Sequence, residues 1–88
     1  MKIFRLIGIF ALITVLSFTV SAQKNFKSEA DIAFSGFKYY KAIEMYKKAY
    51  SKETKKEVKS EILFQIGECY RGKNDGKQAS VWYGKAIK

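Results

Sequence analysis

From Asn25 onward, apolar residues recur at steps of three and four. Phe26, Ala30, Ala33, Phe34 and Phe37 make one stripe, and Ala42, Ile43, Tyr46, Ala49 and Tyr50 make a second. Ile62, Leu63, Ile66, Gly67 and Tyr70 make a third, and Ala79, Trp82, Tyr83, Ala86 and Ile87 a fourth. Residues so spaced share one face of a helix. No window shows the strict alternation of a half-buried strand. The pattern predicts an all-α fold of four amphipathic helices, at about 25–35, 39–51, 55–71 and 77–88.

The polar breaks agree with that division. Gly36 separates the first two stripes, Lys52 to Lys56 the second and third, and Gly72-Lys73-Asn74-Asp75-Gly76 the last two. The final break is rich in turn formers. Thr54-Lys55-Lys56-Glu57 reads as a capping box, in which the Thr hydroxyl takes an N3 amide and Glu57 reaches back. Asp75, three residues before Gln78, reads as an N-cap of the fourth helix.

A fixed internal period adds to the picture. Ala42 and Ala79, Tyr46 and Tyr83, Lys48 and Lys85, and Ala49 and Ala86 each stand 37 residues apart. Self-similarity at such a period marks stacked helical hairpins. Small residues such as Ala30, Ala42, Gly67 and Ala79 let helix axes approach, while Phe26, Tyr46, Leu63, Tyr70 and Tyr83 fill the space between and are expected in the core. A glycine in mid-helix costs about 1 kcal/mol relative to Ala. Gly67 is therefore expected where another helix crosses closely. A generic four-helix bundle is the alternative, and it has no reason for the fixed period.

The second hairpin resembles the tetratricopeptide repeat. Leu63, Ile66, Gly67, Tyr70, Ala79, Tyr83 and Ala86 fall at the spacing of that family's signature. Tyr39, Ala42, Ile43, Tyr46 and Ala49 fit its second helix in the first hairpin, where Glu29 and Ala33 stand in place of larger apolar residues. The family's repeat is 34 residues, and the excess here fits in the Lys52–Lys56 connection. The resemblance implies two stacked antiparallel hairpins, a tetratricopeptide-like α-solenoid fragment over 23–88 with repeats at about 23–53 and 60–88. It also implies a protein-binding scaffold.

A narrower likeness rests on Phe64-Gln65-Ile66-Gly67-Glu68-Cys69-Tyr70-Arg71 followed by Ala79, Trp82, Tyr83 and Ala86. These are similar to the N-terminal repeats of large Bacteroidetes envelope proteins. Such proteins continue into a β-propeller and an OmpA-like peptidoglycan-binding domain, and one of them is a periplasmic component of type IX secretion. The likeness implies a truncated form or N-terminal fragment, with association to outer membrane or peptidoglycan made through domains outside this sequence.

The first 22 residues read differently. Lys2 and Arg5 precede a 15-residue stretch from Leu6 to Val20 without charge, and Val20-Ser21-Ala22 ends it in modest side chains. Charged, apolar and A-x-A-like regions in that order make a secretory signal peptide, 1–22, cleaved after Ala22. The run is shorter than the roughly 20 apolar residues of a membrane span, and an uncleaved anchor is the alternative. Export to the periplasm or cell envelope is the expectation.

Composition then narrows the chemistry. Residues 23–88 carry 15 Lys and Arg against 8 Asp and Glu, a net +7. Such a balance suits acidic partners. The export segment argues against nucleic acid, leaving an acidic protein face, anionic lipid or acidic glycan. A cationic membrane-surface or acidic-glycan module is the alternative to the scaffold. With no His in the chain and Cys69 as its single cysteine, a Cys–His nucleophile pair is ruled out. No phosphate-loop spacing appears in Gly72 to Gly76. No enzyme activity, cofactor or metal is expected. Cys69 has no internal disulfide partner and reads as a small buried helix residue.

In tetratricopeptide repeats the first helix of each pair lines the concave groove. By that resemblance the partner-binding face holds Lys27, Asp31 and Phe34 from the first hairpin, with Lys24 before them, and Phe64, Glu68 and Arg71 from the second. Lys27 and Arg71 could hold a carboxylate, and Phe34 and Phe64 could be apolar anchors. Ordinary core and solvated charge is the competing reading of the same residues. A second candidate is the last helix, where Trp82 and Ile87 are expected to be partly exposed. The cluster of Lys47, Lys48, Lys52, Lys55, Lys56 and Lys59 reads as a solvated face or as contact with an acidic surface.

Overall fold

A computed structural model describes residues 25–88. The expected signal segment, 1–22, lies outside the described residues, as does Lys24. Four helices follow one another: α1 (Phe26–Ser35), α2 (Tyr39–Lys52), α3 (Lys56–Gly72) and α4 (Gly76–Ala86). There is no strand among the described residues, and no helix there is long and apolar enough to cross a membrane. The all-α fold is as the periodicity predicts. Each helix packs on the next, so α1 and α2 form one hairpin, α3 and α4 a second, and α2 against α3 joins them.

Local chemistry explains most of the helix ends. The Asn25 side chain accepts from the Ser28 amide at 3.1 Å and caps α1. Asp75 accepts from the Gln78 amide at 3.1 Å and caps α4, as its sequence position predicts. An N-cap of either type contributes about 1 kcal/mol. The capping box expected at Thr54 does not form. The N-cap of α3 is Lys55, without a side-chain bond, because the Glu53 carboxylate takes the amides of Thr54 and Lys55, each at 3.1 Å, ahead of the helix.

The 37-residue period extends to the backbone of both hairpin turns. Phe37 and Asn74, 37 apart, both have φ 62, and no other described residue, glycine included, has positive φ. Lys38 N–H donates to the Ala33 carbonyl at 2.9 Å, and Asp75 N–H donates to that of Tyr70 at the same distance. Phe37 N–H donates to Phe34 and Asn74 N–H to Arg71, each at 3.0 Å. Asn tolerates the left-handed region better than other non-glycine residues do. Phe37 is 77% exposed there and has no such excuse.

The core is a band of small and medium side chains. Ala30, Ala33, Ala42, Ile43, Tyr46 and Ala49 come from the first hairpin, and Ile62, Ile66 and Cys69 from α3. Ala30, Ala42, Ile66 and Cys69 are fully buried. Close axis approach is clearest at Gly67, where an added Cβ would lie 2.6 Å from Tyr83 ring carbons. Alanine there would therefore collide with the partner helix, which is why this helix tolerates its least helix-favouring common residue. Tyr83 itself departs from the sequence reading. It is only partly buried, whereas Tyr46 is 1% exposed, because α2 is packed against both α1 and α3 while α4 packs chiefly on α3.

Candidate functional site

The helical period carries a polar staple as well as a packing pattern. The Tyr46 hydroxyl donates to Asp31 at 2.5 Å, and the Tyr83 hydroxyl donates to Glu68. Asp31 and Glu68 are 37 apart, as are the two tyrosines. Each bond ties the two helices of one hairpin together across 15 residues of sequence. Burial first, then the bond to Asp31, pushes the Tyr46 hydroxyl far above its usual 10.0. Arg71 and then Tyr83 hold the Glu68 carboxyl below its usual 4.5. Tyr83 is raised by desolvation and then by Glu68.

This arrangement changes the role of the predicted stripe. Arg71 Nε and Nη2 reach the Glu68 carboxylate at 2.8 and 3.3 Å, a bidentate bond within α3. Its guanidinium is held charged by that carboxylate. Lys27 Nζ lies 3.5 Å from Asp31 and 3.8 Å from Glu61, linking α1 to the start of α3. Asp31, Glu68 and Lys27 are thus engaged inside the chain, with partly exposed ion pairs of small worth. Phe34 is half-buried and meets Tyr39 edge-on with centroids 5.8 Å apart. Phe64 is 46% exposed and lies against Tyr83 at 5.3 Å. Of the six predicted residues, Phe64 and Arg71 present the most surface on α3, one helical turn either side of the staple.

Another surface is built from side chains that the sequence pattern leaves scattered. A groove of about 400 Å³ opens where α2, α3 and α4 meet. Buried Ile66 and half-buried Leu63 form its floor, and Tyr50 and Trp82 its walls. Lys47, Lys85 and Lys88, all exposed, stand at the rim. Trp82 is held flat against Tyr70, with centroids 6.4 Å apart and planes at 14°. Lys47 Nζ lies 5.3 Å and Lys85 Nζ 4.1 Å from the centre of the Trp82 ring. Cations at such distances are attracted to the ring face. At about 100° per residue, Ile66 lies more than a third of a turn round α3 from the Phe64–Glu68–Arg71 stripe, and Leu63 about a quarter of a turn from its nearer edge. Groove and stripe are separate surfaces.

The basic cluster also resolves into particular contacts. Lys48 lies 5.7 Å from the Phe26 ring, Lys59 4.6 Å from Tyr50, and Lys73 3.3 Å from Tyr40. Half of the Lys47–Lys59 cluster, namely Lys47, Lys48 and Lys59, therefore lies over aromatic rings. Sequence reasoning found Trp82 as an exposed candidate and Lys47 as part of a cluster, without joining them. The Trp82–Lys85–Lys88 spacing of three, along α4 and just past its end, was the available signal. Lys47 joins them only because α2 and α4 border the same groove over α3.

Cys69 is fully buried, as its small size suggested, and burial pushes its thiol up to about 11. Among the described residues no group of three His, Cys, Asp or Glu side chains is placed to hold a metal ion. Comparison with known proteins finds no family model, no curated protein and no solved structure that matches this chain.

Proposed function

We propose that the chain is a non-catalytic protein-interaction scaffold of tetratricopeptide type, working in the cell envelope. The observation that supports it most is the 37-residue duplication of turn geometry and staple in the two hairpins. Hairpins that stack by repetition bury their cores against neighbours and leave side chains on the outer surfaces free to contact partners. The signal-like sequence of residues 1–22 supports export. The likeness to N-terminal repeats of Bacteroidetes envelope proteins supplies the proposed context, an assembly such as type IX secretion, with the repeats as its adaptor. Phe64 and Arg71 are the surface residues of the predicted stripe best placed to touch a partner.

The test is a photo-crosslinking amino acid in place of Phe64, activated in intact cells, with adducts identified by mass. A discrete protein adduct in the envelope fraction is the expected result. Irradiation that yields lipid or glycan adducts only, or that finds the chain in the cytosol, overturns the reading.

A further inference from the structure

We propose that the Trp82 groove is a docking site for an acidic peptide segment of a partner protein, one that carries large apolar side chains between carboxylates. This rests on the scaffold reading above and moves the specific contact from the predicted α3 stripe to the junction of α2, α3 and α4. Two features of the groove select that chemistry. Its floor and walls are apolar or aromatic, from Leu63, Ile66, Tyr50 and Trp82. The charged side chains of its rim are of one sign, Lys47, Lys85 and Lys88, with no Asp or Glu among the lining residues. A pocket of this kind holds an apolar anchor in its depth and sets orientation with a few polar groups at its edge. Lys47 is attached to α2, Lys85 to α4 and Lys88 to the residues just after it, so they flank the floor on both sides and can meet carboxylates on either side of the anchor.

The other occupants fit less well. A second copy of this chain would bring a further net +7 from residues 23–88 against a rim that is already positive. A sugar polymer needs donors and acceptors for its hydroxyls, and apart from the lysine ammoniums the lining side chains offer only the Tyr50 hydroxyl and the Trp82 indole N–H, with a single acceptor between them. A bilayer binds protruding apolar faces laid into its surface, whereas the apolar part of this site is recessed beneath the lysines. Pre-organisation favours the peptide further. Trp82 is already stacked on Tyr70 and bracketed by two lysines, so little side-chain ordering remains to be done on binding.

The chain has one tryptophan, so its emission reports on the groove alone. The full chain is titrated with three synthetic helical peptides. The first carries a leucine pair one turn apart flanked by glutamates, the second replaces the glutamates by lysines, and the third replaces the leucines by alanines. The expected result is a saturable blue shift with the first peptide that weakens as salt is raised, and none with the other two. Lys47→Glu together with Lys85→Glu should weaken the glutamate peptide about tenfold, as two lost and reversed surface pairs imply. The same variant should gain binding of the lysine peptide, a gain that a misfolded chain could not show. Equal shifts with glutamate and lysine peptides overturn the proposal. So does a tighter response to phosphatidylglycerol vesicles or to polygalacturonate than to the peptide, or no response to any peptide. Should the groove fail while the crosslinker at position 64 still captures a protein, this inference falls and the scaffold reading stands. Loss of both removes the scaffold reading as well.

Discussion

Tyr46 and Tyr83 occupy the same place in the two hairpins and donate to the same kind of carboxylate, yet Tyr46 is 1% exposed and Tyr83 is only partly buried. The same split recurs elsewhere at the 37-residue offset. Cys69 is fully buried in α3, while Ile32 in α1 is 71% exposed. Ile66 is fully buried, and its counterpart Glu29 is exposed. The hairpins are thus alike in what each makes internally and unlike in what a neighbour covers. Turn and staple belong to the repeat unit. Burial belongs to the stack, because α2 and α3 cover each other and α1 and α4 flank them.

The sharpest test of that distinction is alanine at each tyrosine. Tyr46→Ala opens a cavity in a closed core and should cost about 3–5 kcal/mol. For a small domain of marginal stability this means loss of the helical circular dichroism. Tyr83→Ala removes a partly solvated ring that water can replace, and should cost only about 1–2 kcal/mol. Equal losses in urea melts would break the comparison, since the two positions would then be energetically the same.

A smaller effect is expected at the turns. Phe37 and Asn74 share φ 62, but only Asn is suited to it. Phe37→Asn should raise stability by about 1 kcal/mol, because an exposed ring gives little back for the backbone strain. Asn74→Phe should lower it by a similar amount. A lower melting temperature for Phe37→Asn would show that the Phe37 ring contributes through its edge-on contact with Tyr39.

The least effect on stability, and the clearest on accessibility, concerns the thiol. At pH 8 Cys69 is expected to resist alkylation in the folded chain, because its thiol is buried and raised from 9.0 to about 11. A cysteine placed at Ile32 in a Cys69→Ala background should label at the rate of a free thiol. A folded-state pKa above the unfolded one contributes stability below the unfolded value and loses it as pH rises through the folded value. Cys69 therefore makes the fold less stable between about pH 9 and 11, and the raised Tyr46 hydroxyl acts in the same direction at higher pH. Rapid Cys69 labelling at pH 8 without unfolding would place the α2–α3 contact in doubt.

Much of this was legible from residue order. Steps of three and four placed the helices within one or two residues, and the 37-residue offset matched Ala42 to Ala79 and Tyr46 to Tyr83 before any coordinates. The Asp75 cap was readable because capping is decided within three residues. Thr54 was misread because Glu53, one residue earlier, takes the Thr54 amide that Glu57 would have reached, and a pattern cannot weigh two acceptors. Asp31 and Glu68 were found as members of a stripe. Their bonds to tyrosines 15 residues away were not visible, since they depend on how far the helices of a hairpin are apart.

The amino-acid order by itself determined the four helices, their turns and the duplication, because helix formation, capping and tight turns are settled between residues at most five apart. Tertiary structure alone decided which copy of each repeated residue is covered, and it alone joined Lys47 to Trp82 and Lys85 in one groove. The reason is physical. Solvent exclusion and charge proximity depend on distances between helices, and those distances follow from how Gly67 and the alanines let the axes approach.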